Sequence, residues 1–392
     1  MTPAQPIRTR PGFWKRWQTL GVIGVRMMFF DRLKLAGTLF GVVFAVVLGN
    51  FQVGTFLALV FKNRMFVENA QVDVWVTPPG TRQFQGGGTP LTDSQLNRVR
   101  STPGVAWAEP LLVQTGQLKL PNGGTEPVSL VGTRAPRFAG GPWNLVAGST
   151  EALRQPGAVI FEDSEREKLG GLNLGSVREL SGHHVQAVGF TWGLLPFAPA
   201  YAFAELNLAR EMIRQPEGEY TFLLVKAADG VSPPQLRERL QRALPDAKVM
   251  TRDEYMAEIL RYILTATQIG VSFGMSTFMG LLVGLITVAL SMFSSVIDNM
   301  RQFGTVKAIG ATTGDLARLL FVQAFVYGVV GSLIGLGMMA AMVQGIRNAQ
   351  LTPILPTVSI GITFALMIGT CLLASVLALF RLRALEPAMV FR

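Results

Sequence analysis

Residues 298–315 read DNMRQFGTVKAIGATTGD, the only strongly polar interruption between two long apolar runs in the second half of the chain. Arg301 and Lys307 resist entering hydrocarbon, which puts this stretch outside a bilayer. Phe303, Val306 and Ile309 recur every three residues and so share one side of a short helix. Gly310 stands where helices commonly end in a left-handed residue. Thr312 and Asp315 have capping-box spacing, with Asp in place of the usual Glu or Gln. The expectation is a short amphipathic helix, a stop and a new helix entering the membrane. Such an element is either a docking surface for a cytosolic partner or an ordinary polar loop.

The flanking runs set the fold class. Residues 35–61 and 357–380 are uncharged, and residues 316–345 carry only Arg318 near their start. Each is long enough for one crossing at roughly 20 residues per bilayer. Residues 262–297 exceed one crossing, so a single helix is expected to begin outside as a stalk and continue across. Thr251 and Glu254 have capping-box spacing at its start, and Glu258 and Tyr262 continue it. The end of the first span, to Asn69, is the candidate matching stalk. Gly37 with Gly41, and Gly270, Gly274, Gly280 and Gly284, give small-residue spacings for close helix packing. Asn50 and Gln52 are read as capping or interhelical hydrogen-bonding groups.

The chain has 392 residues, of which 49% are hydrophobic and 15% charged, well below the usual quarter for a soluble protein. The net charge of +10 lies beside the apolar runs, where it sets topology and meets membrane lipid; nucleic-acid binding is not expected. Residues 1–34 hold seven Arg and Lys with Trp14 and Trp17 and read as an interfacial amphipathic anchor rather than a signal peptide. The basic segments are residues 1–34, 298–315 with Arg318, and 381–392. Four spans put all three on one face, the cytoplasm, with residues 62–261 and the short proline loop 346–356 outside.

Residues 62–261 differ in kind: charges return, Pro and Gly punctuate, and strand alternation appears. Strands are expected at 71–76, 158–161, 176–180, 184–191, 220–226 and 248–250. Pro121-Asn122-Gly123-Gly124 joins strands 111–120 and 127–133 as a hairpin. Thr92 with Gln95 caps one helix, and Ser232 with Pro233 starts another. Strand, loop, capped helix and strand thus occur twice. This suggests one α+β subdomain built from about 70–105 and 220–250, with about 106–214 inserted.

No catalytic constellation emerges. Residues 62–261 hold no Gly-x-Ser-x-Gly and no His-Glu-x-x-His, and no metal-ligand spacing occurs. Asp163, Glu165 and Glu167 read as a solvated helix face, and adjacent His183 and His184 point to opposite faces of a strand. The lone Cys371 lies in an apolar run. No Gly-Lys pair occurs, so the phosphate-binding loop of P-loop ATPases is absent; this chain is expected to bind no cofactor itself.

Lys307-Ala308-Ile309-Gly310-Ala311 and the closing Arg381-Leu382-Arg383-Ala384-Leu385-Glu386-Pro387-Ala388 carry a family resemblance. With the four-span layout, the chain resembles FtsX-like, MacB-type permeases of type VII ABC transporters. The first span, Phe44-Ala45-Val46-Val47-Leu48 with Gln52-Val53-Gly54, is similar to DevC-like exporter permeases, as are Leu130-Val131-Gly132-Thr133 and Gly141-Pro142-Trp143. The resemblance implies that Arg301, Gln302, Phe303, Gly304, Val306, Lys307, Ala308, Ile309 and Gly310 form the coupling helix that docks on a separate ABC ATPase. That partner binds ATP and Mg. It further implies a permease dimer, a homodimer before a heterodimer, in a bacterial inner membrane. A periplasmic adaptor and outer-membrane channel would complete the assembly. Substrate would be moved by mechanotransmission, most simply a lipid, glycolipid or other amphiphile. FtsX-like signalling to a cell-wall hydrolase and LolC- or LolE-like lipoprotein release are the alternatives.

Overall fold

The computed structural model describes residues 24–26, 28–82, 84, 88–194, 199–298, 312–345 and 353–383. They fall into two compact units. One comprises Met1–Phe56, Val271–Asn348 and Thr352–Arg392; the other Leu57–Gly270 and Ala349–Leu351.

The second unit is a sheet domain. Its strands are β1 Val74–Thr77, β2 Leu91–Thr92, β3 Val105–Lys119, β4 Thr125–Thr133, β5 Leu145–Ala147 and β6 Ala158–Glu162. There follow β7 Val177–Leu180, β8 His183–Thr191, β9 Ala200–Glu205, β10 Glu219–Tyr220, β11 Phe222–Ala227 and β12 Lys248–Thr251. The main sheet runs β12-β1-β11-β3-β4-β9-β6-β8-β5, with β7 against β3 and β8, while β2 and β10 pair separately.

The first four strands of that order are mutually antiparallel. With helices Asp93–Arg100 and Pro233–Ala243 they form a split strand-helix-strand arrangement of ferredoxin type. Alternation explains the helix-covered face. Val74 and Val76 of β1 join Leu223 and Val225 of β11 in one core with Leu96, Val99, Leu236 and Leu240 from the two helices. Trp75, between the two valines, points to the other face, where it meets Phe222 and Tyr255.

The inserted part has its own core, including Leu118, Val128, Leu130, Phe161, Val185 and Phe190. The expected boundary near residue 106 falls inside one continuous strand: β3 pairs with β11 through Leu111 and with β4 from there to Lys119. The β3–β4 hairpin turns where Gly123 takes φ +84° and the Asn122 side chain accepts from the Gly124 N–H at 3.0 Å.

Three local expectations are corrected. The strand expected from residue 71 starts at Val74, because Gln71 is left-handed and Asp73 turns to accept from Lys226 Nζ and the Ala227 N–H, both at 3.0 Å. The strand expected at 220–226 is divided, since Tyr220 pairs with Leu91 while Phe222 pairs with Leu111. Ser232 occupies the N-cap but makes no capping bond; Pro234 removes one of the two amides such a cap would use.

A fourth correction concerns the long run after Thr251. It is two helices, Arg252–Thr265 and Ile269–Asp298, not one. At the break the Thr265 and Thr267 hydroxyls donate to the carbonyls of Arg261 and Ile263, each at 2.8 Å. Such back-bonding competes with the helix ladder. Ala266 and Thr267 both donate to the Tyr262 carbonyl, at 2.9 and 3.3 Å, so the turn closes on itself.

The first unit contains helices long and apolar enough to cross a membrane: the first part of Arg32–Asn69, then Ile269–Asp298, Gly314–Gly345 and Thr357–Leu379. The chain is a multi-pass membrane protein with an α/β domain between its first and second membrane helices. Val42, Ala45 and Val46 of the first span are almost wholly buried. They meet glycines: a Cβ on Gly284 would come within 2.9 Å of Ala45, one on Gly335 within 2.8 Å of Val46, and one on Gly331 would collide with Val42. Gly41 lies equally close to Thr287, whereas Gly37 and Gly274 face open space. Asn50 donates back to the Val46 carbonyl at 2.8 Å, satisfying itself within its own helix rather than across to a neighbour.

Gly331→Leu and Gly41→Leu are each expected to destabilise the protein by about 1–3 kcal/mol through overpacking. Gly37→Leu should be neutral. Thermal melting of the purified protein in detergent checks the contrast.

Candidate coupling site and its supports

The residues expected to dock a partner, 301–310, lie outside the described residues; the elements holding both ends of that segment are described. It leaves helix Ile269–Asp298 and re-enters helix Thr313–Gly345.

At the exit, Asp298 forms an ion pair with Lys34 and accepts from Ser294 Oγ at 3.3 Å. Lys34 also pairs with Asp31 at 3.4 Å. One turn along, the Thr38 and Ser291 hydroxyls hydrogen-bond to each other. The first span is thus tied to the end of the second by polar contacts. At the entry, Thr312 and Asp315 bond reciprocally. Asp315 Oδ2 accepts the Thr312 N–H at 3.0 Å, and Thr312 Oγ1 accepts the Asp315 N–H at 3.2 Å. Asp315 is buried, and Arg318 Nη1 donates to its Oδ1 at 3.1 Å. A carboxylate in the first turn also suits the positive end of the helix dipole. Val296, Leu316, Leu319 and Leu320 form one buried cluster, with Leu379 packed against it. The two ends of residues 299–311 are therefore gathered onto one apolar knot.

The expected stalk residues lie on helix Arg252–Thr265 of the sheet domain. The Thr251 N–H donates to Glu254 Oε2 at 2.8 Å, and the Glu254 N–H to Thr251 Oγ1 at 3.2 Å. Glu258 pairs with Lys248 at 3.4 Å and Arg261 at 3.5 Å. Tyr262 sits one turn before the break, with its carbonyl engaged there. Met256, Ile259 and Ile263 face inward.

Sequence reasoning missed the aromatic cluster of this domain. Phe66, near the end of helix Arg32–Asn69, is 1% exposed. Its ring stacks on Phe84 at 3.9 Å between centroids and meets Trp143 at 5.3 Å, Tyr201 at 5.7 Å and Trp75 at 6.4 Å. Tyr255 joins through Trp75 at 5.3 Å. Burial pushes the Tyr255 hydroxyl well above its ordinary pKa; Tyr201 is raised by burial and, secondarily, by the Glu162 carboxylate. Both stay neutral across physiological pH. Glu162, also missed, is fully buried; it accepts from Thr191 Oγ1 at 2.8 Å, Ser164 Oγ at 2.5 Å and the Gly193 N–H. Lys62 donates to the Gly193 carbonyl, so the loop after β8 is held from both sides.

Of the acidic trio, Asp163 pairs with Arg166 at 3.2 Å and Glu165 with Lys168 at 2.8 Å; Glu167 is exposed, as a solvated face requires, whereas Glu165 is buried. Among the described residues no group of three or more His, Cys, Asp or Glu gathers to hold a metal.

The MacB-like periplasmic core domain family matches residues 35–243, just over half of the chain, and the FtsX-like permease C-terminal family matches residues 274–387. An uncharacterised ABC transporter permease of Mycobacterium bovis is 26% identical over 337 residues, covering 83% of this chain and 86% of its own length. YknZ, an uncharacterised ABC transporter permease of Bacillus subtilis, is 25% identical over 213 residues, 50% of this chain and 51% of that protein. Among solved structures, the periplasmic region of MacB from Actinobacillus actinomycetemcomitans aligns with TM-score 0.37 at 15% identity, covering 52% of this chain and 99% of its own. The extracellular domain of YknZ aligns with TM-score 0.35 at 16% identity, covering 46% and 98%.

Phe66→Ala is expected to cost about 3–5 kcal/mol by opening a cavity at the cluster centre. Thr251→Ala should cost only about 1 kcal/mol through its cap. Denaturant unfolding followed by tryptophan fluorescence checks this order.

Proposed function

Because the chain belongs to the FtsX-like, MacB-type family of ABC transporter permeases, we propose that residues 301–310 are the coupling helix through which a separate ATPase drives it. The observation carrying this reading is the apolar knot of Val296, Leu316, Leu319 and Leu320, closed by the buried Asp315 cap. A segment rooted at both ends on one packed cluster moves with two membrane helices together, which is what a docking lever requires. Phe303, Val306 and Ile309 would fill the ATPase groove. ATP and Mg would be bound by that partner.

The same reading places the protein in a bacterial inner membrane with both termini cytoplasmic. It works as a homodimer with two ATPase copies, a periplasmic adaptor and an outer-membrane channel. The cargo class is a lipid, glycolipid or other amphiphile, moved by mechanical change in the sheet domain rather than by chemistry in this chain. The break at residues 266–268 shifts the mechanical argument. Helix Arg32–Asn69 is uninterrupted for 38 residues, so it is the stiffer path for force.

Val306→Asp is expected to abolish stimulation of the ATPase in the reconstituted complex while membrane insertion is unchanged, because it puts an unpaired anion in an apolar contact. Stimulation at the normal level removes the docking assignment. For the force path, Val60→Pro should uncouple ATP hydrolysis from transport more severely than Tyr262→Pro, which lies beside an existing break. The reverse order in a proteoliposome export assay assigns the path to the second helix instead.

A further inference from the structure

A cleft of about 440 Å³ opens in the sheet domain between the end of helix Arg32–Asn69 and the loop following β4. Asn69 and Gln71 form one side; Trp107, Arg137, Trp143 and Thr150 line the rest. The volume falls within the range of small-molecule sites.

The Arg137 guanidinium lies over the Trp107 ring, 5.2 Å from its centroid. Among the described residues no carboxylate pairs with it. Arg166, also stacked on a ring, differs in having Asp163 at 3.2 Å. A guanidinium resting on an indole is desolvated on one face and keeps its N–H fork free, which suits bidentate capture of a phosphate or carboxylate.

The backbone around the cleft is set in an uncommon form. Gln71 and Phe138 are both left-handed, with φ of 54° and 49°, and both line it. Phe138 is buried, which fixes the residue next to Arg137. Gly140 presses so close to the core that a Cβ there would come within 2.9 Å of Leu224. Left-handed non-glycine residues persist only where the surroundings over-determine them, and they cluster at ligand sites.

We propose that this cleft binds an anionic amphiphile. Its phosphate or carboxylate lies on the Arg137 fork, with Asn69 and Gln71 as further donors, and its hydrocarbon lies against Trp107 and Trp143. That such a molecule is the natural cargo rests on the export reading; binding itself does not.

The test uses the full chain in phosphatidylcholine nanodiscs, without ATPase or nucleotide. Dodecyl phosphate is titrated against intrinsic fluorescence and by calorimetry, with empty nanodiscs subtracted. Saturable binding is expected, weakened at least tenfold in Arg137→Gln and unchanged in the remote surface variant Arg242→Gln. Thr150→Trp, which fills the cleft and keeps Arg137, should lower affinity as strongly, so a folding defect in one variant leaves the other decisive. Dodecanol and inorganic phosphate should each bind at least tenfold more weakly. The site is overturned by absence of saturable binding, by equal affinity in Arg137→Gln at an unchanged melting temperature, or by either half-ligand binding as well as dodecyl phosphate. Any of these removes the cleft and leaves the export reading standing, because that reading is judged by ATP-driven coupling.

Discussion

Val42, Ala45 and Val46 of the first membrane helix reach the backbones of their neighbours only because Gly284, Gly331 and Gly335 carry no side chain. Between membrane helices the hydrophobic effect supplies no drive, since lipid tails are as apolar as the side chains they would replace. Close van der Waals contact over many atoms is what remains. The buried cluster of Val42, Ala45, Val46, Val288, Met292, Ala324, Tyr327, Met367 and Cys371 is thus held by shape. The large apolar residues on the outer surfaces, among them Phe40, Leu290, Leu333 and Val358, suit hydrocarbon and need no partner within the chain.

Shape also leaves the few polar groups of this unit free to be placed. Lys34, Asp298, Ser294, Thr312, Asp315 and Arg318 cluster around the two ends of residues 299–311. Exposed ion pairs add little stability, so Lys34–Asp298 is better understood as fixing register between two helices than as holding them together. The buried Asp315 is different. Its oxygens are engaged by an amide, a hydroxyl and a guanidinium, and losing any of these would leave a desolvated carboxylate.

What the sequence disclosed was local or periodic. The four spans follow from uninterrupted apolar runs, and the boxes at Thr92, Thr251 and Thr312 and the hairpin at Pro121-Asn122-Gly123-Gly124 from residues within a few positions of each other. The twofold strand-helix-strand pattern was visible because each half is contiguous. The break at residues 266–268 was not visible, because Thr265-Ala266-Thr267-Gln268 is uncharged and hydropathy says nothing about where a hydroxyl donates. The aromatic cluster was equally hidden: Phe66, Trp75, Trp143, Tyr201 and Tyr255 come from both ends of the domain and its insertion, and no spacing unites them. The glycine contacts show the same limit in miniature. Gly37 and Gly41 share a motif and a helix face, yet only Gly41 meets a neighbour, since spacing does not fix where along that face another helix comes close.

The ferredoxin-type core has a consequence for how the chain folds during synthesis. Its first two strands and first helix precede the hairpin turn at Gly123, whereas its last two strands and second helix come after residue 220. β1 lies between β11 and β12 in the sheet, so neither of its neighbours exists until most of the domain has left the ribosome. Until then Val74, Trp75 and Val76 present two unpaired backbone edges and apolar surface on both faces. The insertion can close on itself through β3 and β4 in the meantime, because that pairing is contiguous. Synthesis therefore imposes an order in which the part that looks inserted matures first and the part that looks like the scaffold is completed last.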